Sequence, residues 1–348
     1  MNAATPRDRR TGTPAPHQPR VRPQQRDLPL RVGTRASPLA RLQTRIAIEL
    51  LAANCPELDA DAAFEQQAIR TTGDAVQHRR LAEIGGKGLF AKEIHEALLD
   101  RRIDLAVHSL KDLETEFPPG IILACVLTRE DARDALILGA DGGADGGTGG
   151  GAVDPDDPYG CLPAGALVGT ASVRRQAQLL HARPDLRVGA IRGNVQTRLA
   201  KLAAGEFAAS LLALAGLRRL GMADRASVVL DPDVMVPAVG QGIIGITARA
   251  DDTGVRELLA AIEDPEASAA ATAERAMLAV LDGSCRTPIG GHARLLPNGQ
   301  MQLTGLVARA DGSFLLKRSL HGDGRDAARI GAELGAGLRA DSPDDIFA

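Results

Sequence analysis

Four short segments place charged and hydroxyl side chains where an apolar, strand-like run gives way to a helix-starting signal. Val32-Gly33-Thr34-Arg35-Ala36-Ser37 leaves Arg35 in a turn and Ser37 at a helix cap, with Pro38 at the first helical position. The run ending at Val107 continues through His108 and Ser109 to Lys111, a cation directly beside the carboxylate of Asp112. Thr170 and Ser172 precede two arginines, Arg174 and Arg175, on the first turn of a further helix. Arg192-Gly193-Asn194 opens another, with Arg198 one turn on. Open α/β sheets bind ligands beyond the carboxyl ends of their strands, where free helix N–H groups point outward. Arginine in a first helical turn is itself unfavourable, because that end already carries partial positive charge. Four such loops at one expected edge therefore read as a site for a polyanion, and carboxylates match the planar guanidinium fork.

The placement of lysine sharpens this reading. Of 41 basic residues in the 348-residue chain only five are Lys, and two of them, Lys87 and Lys111, sit at loop positions of this kind. Asp112 among cations is either a charge-balancing partner or the acid–base group of the site, and the residues alone leave both open. His108 falls on the alternating face of its strand and reads as a satisfied core histidine. Cys285 lies in the loop Gly283-Ser284-Cys285-Arg286-Thr287-Pro288, where an adjacent cation favours thiolate. The other three cysteines have ordinary settings, and the four show no metal-ligand or disulfide spacing, so no metal is expected. Two motifs are decoys. Gly240-Gln241-Gly242-Ile243-Ile244-Gly245 fits the dinucleotide fingerprint, but a β-like stretch follows where a helix is required. Gly85-Gly86-Lys87-Gly88 lacks the remaining glycine and the Ser/Thr of a phosphate-binding loop.

The elements that must position these groups alternate along the chain. Strands are expected at Leu28 to Val32, Phe64 to Ile69, Ile103 to Val107 and Ile121 to Leu127, with helices from Pro38 to about Ala53 and from Leu89 to Leu99. A second unit repeats the rhythm, with strands at Ala135 to Leu138, Ala166 to Gly169, Leu186 to Ile191 and Ala208 to Ala213 and helices capped by Ser172 and Asn194. Past Pro237 come a strand at Ile243 to Ala248, helices at Val255 to Ile262 and Ala267 to Leu281, and a Gly-rich turn at Gly290-Gly291. Two further strands, Met301 to Val307 and Ser313 to Leu320, lead to a last helix from about Arg325 to Leu338. Three domains are expected: residues 29–130 with 241–262, residues 131–240 with a Gly-rich insertion over 139–158, and a small α+β domain over 263–348. Residues 1–28, rich in Arg and Pro and poor in large apolar residues, read as a disordered tail without an address.

Composition excludes several function classes. Aromatics make up 2% of the chain and the net charge is -3, so neither base stacking nor a basic duplex-binding surface fits, and no nucleic-acid partner is expected. No apolar run approaches the roughly 18 residues of a membrane helix, and no membrane partner is expected either.

Taken in order, the motifs resemble the porphobilinogen deaminase family. The matching stretches are Thr34-Arg35-Ala36-Ser37-Pro38-Leu39-Ala40, Gly85 to Phe90, Val107 to Asp112, Glu130 to Asp134, Gly169 to Gln176 and Arg192 to Val195. Ala215 to Leu220, Pro237 to Gly242, Thr272 to Arg275, and Cys285 with Pro288-Ile289-Gly290 complete the series, so that it spans about residues 29 to 340. The resemblance implies a transferase of heme biosynthesis, a hydroxymethylbilane synthase. It joins four porphobilinogen molecules head to tail into the linear tetrapyrrole hydroxymethylbilane and releases ammonia. It implies a dipyrromethane cofactor held by a thioether to Cys285, and Asp112 as the catalytic carboxylate. Cofactor and substrate carboxylates would be bound by Arg35, Ser37, Lys87, Ser109 and Lys111, and across the cleft by Thr170, Ser172, Arg174 and Arg175. Arg192, Gly193, Arg198 and Gln241 would complete that set. The implied fold is α/β: two similar α/β domains flanking a cleft, periplasmic-binding-protein-like, plus a small α+β C-terminal domain. Hinge segments would fall near Leu127 to Asp131 and Val236 to Gly242. The partners are porphobilinogen and the growing polypyrrole chain, and a cytoplasmic monomer is expected.

Some positions depart from the family pattern. Ala171 stands where many members have Ser, Glu114 replaces a common Pro, and Ser284-Cys285-Arg286 replaces a more usual Gly-Cys-Gln. A non-enzymatic polycarboxylate-binding protein of two α/β lobes is the alternative. Cys285 together with Asp112 separates the two readings, because a binder needs neither.

Overall fold

The computed structural model describes residues 28–55, 58, 62–75, 88, 90–140, 157–282 and 287–347. Among these, the strands form three sheets, and the first two share one topology. In the first sheet β1 (Leu30–Arg35) lies between β2 (Phe64–Ile69) and β3 (Leu105–Ser109), parallel to both. β4 (Ile121–Val126) closes the far edge, separated from β3 by the antiparallel β10 (Ile244–Arg249). In the second sheet β6 (Leu167–Gly169) is parallel to β7 (Arg187–Gly189) and β8 (Ala209–Ala213). β5 (Asp134–Leu138) runs antiparallel between β8 and the short β9 (Val228–Val229).

The antiparallel strand of each sheet is the one delivered from the other domain: β4 leads to β5, and β9 leads to β10. The two crossing segments run side by side. Glu130 N donates to Gly242 O at 3.1 Å and Leu127 N to Ile244 O at 3.0 Å. Apolar side chains explain why each sheet is buried on its faces. Val32, Leu105, Val107, Ile244 and Ile246 pack with Ala47 and Leu51 of the helix Pro38–Asn54 in the first domain. Leu136, Val168 and Leu211 pack with Leu179 of the helix Val173–Ala182 in the second. Both sheets read as near-continuous apolar runs because helices cover them.

The third sheet is an antiparallel meander of β11 (Ile289–Leu295), β12 (Gln300–Ala308) and β13 (Leu315–Asp323). The helices Pro265–Val280 and Ala327–Ala340 cover it through Met277, Ile330, Leu334 and Leu338. Here one expectation is corrected: Gly290-Gly291 is no turn but lies inside β11, paired with Leu306 and Gly305. The glycines mark a close approach instead. A Cβ on Gly291 would stand 2.6 Å from Met277 Cε and 2.8 Å from Val239 Cγ2, and one on Gly290 2.9 Å from Val236 Cγ1. The decoy at Gly240–Gly245 leads directly into β10, so no helix N-terminus follows it. The expected disordered tail, most of the Gly-rich insertion, and Lys87 and Cys285, with the roles expected of them, lie outside the described residues, apart from Leu28 and residues 139–140 and 157–158.

Candidate active site

The carboxyl ends of β1, β3, β7 and β8 open on a cavity of about 530 Å³ between the first two domains. Register explains the first cation. β1 extends to Arg35, three residues beyond the expected end, so its last side chain enters the cleft while Thr34 is buried. Arg35 is held from three sides. Its Nε and Nη2 meet the Asp74 carboxylate at 3.3 and 2.5 Å, its Nη1 lies 3.2 Å from Asp112 Oδ2, and the Phe90 ring lies 4.1 Å away. Ser37 caps the Pro38–Asn54 helix by accepting from Ala40 N at 3.2 Å, and it also lines the cavity. β3 ends at Ser109, whose hydroxyl accepts from Gln43 Nε2 at 3.0 Å. The one-turn 3-10 helix Leu110–Asp112 then aims Lys111 and Asp112 into the same space. Lys111 Nζ donates to Gln241 Oε1 at 3.3 Å.

The second domain supplies the facing wall with Arg175, Arg192, Gly193 and Arg198. Gly193 sits at φ +110, where a Cβ would meet Thr197 Cγ2 at 2.7 Å, so glycine lets the turn close onto the next helix. Asn194 caps that helix, Val195–Ala203, by accepting from Thr197 N at 2.8 Å. Arg198 Nε donates to Gly193 O at 3.0 Å, and Arg192 Nη2 reaches Gly73 O of the first domain at 3.5 Å.

The wall is electrostatically unbalanced. Among the described residues six cations line it (Arg35, Lys111, Arg175, Arg192, Arg198 and Arg219) against two carboxylates, Asp74 and Asp112. Burial and the charge of Arg175 push the Lys111 ammonium down to about 8. Burial, with Arg175 and Arg192 nearby, likewise brings Arg198 down to about 10. Cations that depress one another in this way are stabilised by any anion that enters. Burial also acts on Arg35, but its bond to Asp74 and the charge of Asp112 outweigh it, and Arg35 is held above its usual value.

Four expected residues stand off this wall. Thr170 Oγ1 accepts from Ser172 N at 3.1 Å and Ser172 Oγ from Arg175 N at 3.4 Å, so both hydroxyls serve the turn and helix cap. Arg174 is buried, its Nη2 2.8 Å from Asp134 Oδ2 and its Nη1 2.5 Å from Val236 O. Gln241 is buried between the two domains. His108 is a satisfied core residue, its Nε2 2.9 Å from Thr247 Oγ1, and burial pushes it down to about 3. Three participants carried no chemical signal of their own in sequence, although Asp134 and Arg219 lie within stretches that resemble the family. Asp134 follows Arg133 at a strand start, Asp74 ends a Thr-Thr-Gly turn, and Arg219 closes a short helix, and each looks like ordinary surface charge.

A two-lobed α/β protein whose cleft gathers guanidinium and ammonium groups around a carboxylate is, as a class, a binder of polycarboxylic ligands equipped to stabilise positive charge. Residues 30–257 match the family model of the porphobilinogen deaminase dipyromethane cofactor binding domain, and residues 268–340 that of the porphobilinogen deaminase C-terminal domain. The porphobilinogen deaminase of Nitrobacter winogradskyi is 46% identical over 322 residues, covering 92% of this chain and 96% of that one. That of Paracoccus denitrificans is 46% identical over 319 residues, with the same coverage. The Sorangium cellulosum protein is 46% identical over 314 residues, or 89% of this chain and 98% of its own. The chain belongs to the porphobilinogen deaminase family. It is therefore an enzyme, a hydroxymethylbilane synthase that works with a dipyrromethane cofactor. The cleft fits that group: the excess of cations along its wall is what a cofactor and substrate bearing acetate and propionate arms require. No helix among the described residues is long and apolar enough to cross a membrane.

Proposed function

We propose that Asp112 is the catalytic carboxylate of this chain and that the surrounding cations hold the acidic arms of the pyrroles. The observation that carries the assignment is the position of Asp112. Of the two lining carboxylates, Asp74 is gripped by Arg35 from two sides, whereas Asp112 meets Arg35 through a single nitrogen at 3.2 Å. Its side chain keeps 31% of its surface open to the cleft. Loss of ammonia from porphobilinogen leaves positive charge spread over a pyrrole. A carboxylate at the ring N–H stabilises that charge while the protonated aminomethyl group leaves as ammonia, its C–N electron pair departing with the nitrogen. When bound, dipyrromethane supplies a pyrrole α-carbon from which the chain grows.

Arg35, Ser37, Ser109 and Lys111 serve one side of the cleft, and Arg175, Arg192, Gly193 and Arg198 the other, binding carboxylates through charge-assisted bonds. Lys87 adds an ammonium, and Cys285 is the point of covalent attachment. Thr170 and Ser172 support that set through the turn and cap they build, and Arg174 through its ion pair with Asp134. The chain acts on porphobilinogen and the growing polypyrrole as a cytoplasmic monomer, without nucleic-acid or membrane partners. The departures at Ala171, Glu114 and Arg286 remove no group assigned to the chemistry.

Intact-mass measurement of the purified protein tests the attachment. The expected result is an added mass of two pyrrole units that disappears in Cys285→Ala. An unmodified wild-type chain that still binds polycarboxylates would favour the purely binding alternative.

A further inference from the structure

Asp134 is the fully buried first residue of β5, and it lies behind the cleft wall. Its Oδ1 accepts from Arg175 Nε and Nη2 at 3.2 and 2.8 Å and from Gln241 Nε2 at 2.9 Å. Its Oδ2 lies 2.8 Å from Arg174 Nη2. Gln241 also donates to Ala132 O at 2.7 Å, so both hydrogens of its amide are engaged and its oxygen is left to face Lys111 Nζ at 3.3 Å. Asp134 is thus joined to cations from two domains, to Arg175 directly and to Lys111 through one crossing-segment side chain.

We propose that Asp134 is a positioning residue for carboxylate binding, acting directly on Arg175 and, through the Gln241 carboxamide, on Lys111. This rests on the assignment of those two cations to carboxylate binding. A buried charge is retained at low cost only when it is paired and hydrogen-bonded, and Asp134 is hydrogen-bonded through Oδ1 and paired with Arg174 through Oδ2. Arg175 gives Nε and Nη2 to Asp134 and Nη1 to Leu211 O at 2.7 Å, which leaves two of its five N–H groups for a ligand. Lys111 gives one donor to Gln241 and keeps two. The spacing between the ligand-facing donors of the two domains is therefore set by groups that touch no ligand. Asp134 also counters what burial and the charges of Arg174 and Arg175 do to Lys111. With Asp112, it is the negative charge that favours the ammonium form.

The experiment compares holoenzyme variants Gln241→Leu and Asp134→Asn with wild type, each labelled with 15N at the lysine ε position. The chain has five lysines, so Lys111 is identified by the resonance lost in Lys111→Arg. Gln241→Leu is expected to raise KM for porphobilinogen about tenfold while kcat changes less than about twofold. The Lys111 titration is expected to move to lower pH, and the alkaline fall of kcat/KM to move with it. Asp134→Asn is expected to do the same more strongly, and if it fails to fold, Gln241→Leu alone decides. Wild-type KM and an unmoved Lys111 titration in a folded Gln241→Leu would overturn the proposal. Lys111→Met measured in parallel separates the two layers: wild-type KM in that variant would overturn the carboxylate-binding assignment itself.

Discussion

Arg35 shows how much chemistry a single cleft residue carries. Its guanidinium is fixed by Asp74, by Asp112 and by the face of Phe90, so little rotamer freedom is lost when a ligand arrives. Asp112, beside it, makes the sharpest residue-scale prediction. Asp112→Asn keeps the shape and removes the charge, so folding by circular dichroism and cofactor load by mass are expected to be unchanged. Turnover is expected to fall by about 10²–10⁴, and normal turnover in that variant would remove Asp112 from the mechanism. Lys111 sets a second expectation. Because burial and Arg175 push its ammonium down to about 8, Lys111 is charged below that pH and neutral above it. A cation that must grip a carboxylate is lost as pH rises, so kcat/KM is expected to fall on the alkaline side near pH 8. An arginine in its place stays charged. Lys111→Arg is therefore expected to abolish that fall at some cost in affinity, and a profile unchanged in the variant would assign the limb elsewhere.

At the scale of elements, strand ends and helix caps place the site. Ser37, Ser172 and Asn194 were legible as caps because Ser and Asn accept the otherwise unpaired N–H groups of a first turn, and all three do so here. The alternation of short apolar runs with capped helices was legible for the same local reason. β11 was not, because Gly290-Gly291 has no side chain to declare a strand, and its role is to admit Val236, Val239 and Met277 from elsewhere in the chain. Gly242 works similarly at the domain crossing. It holds φ +89, and a Cβ there would overlap the Glu130 carbonyl oxygen of the neighbouring segment. Gly242→Ala is expected to destabilise the protein by about 2 kcal/mol or more, read as a lower urea midpoint at unchanged slope. A midpoint equal to wild type would show that the crossing segments separate freely.

Across the whole molecule, a buried ion pair helps join the third domain to the crossing segments. Glu274, with no exposed surface, accepts from Arg129 Nη1 at 2.6 Å and from the backbone N–H groups of Gly240 and Ala293, each at 2.7 Å. Arg129 Nε in turn donates to Gln241 O at 2.9 Å. Glu274→Ala would leave a guanidinium and two amide groups without their acceptor, and a loss of roughly 3–5 kcal/mol is expected in chemical denaturation. A loss below about 1 kcal/mol, the scale of a surface pair, would mean that water reaches this junction.

Local features were legible in the amino-acid sequence: most of the strands, the residues that cap helices, and the loops that carry cations. Those follow from periodicity and from the few side chains able to cap a helix. The ordered motifs also sufficed to recognise the family. Only the tertiary structure decided which of those groups face one another. Arg174 and Arg175 are adjacent in a single turn, yet one is buried against Val236 and the other reaches the cavity, because successive helical residues point about 100° apart. Asp134, Gln241 and Lys111 are far apart in the chain and meet only where the two crossing segments bring two domains together. Sequence spacing contains no distance between such residues, so their partnership appears only once the chain is folded.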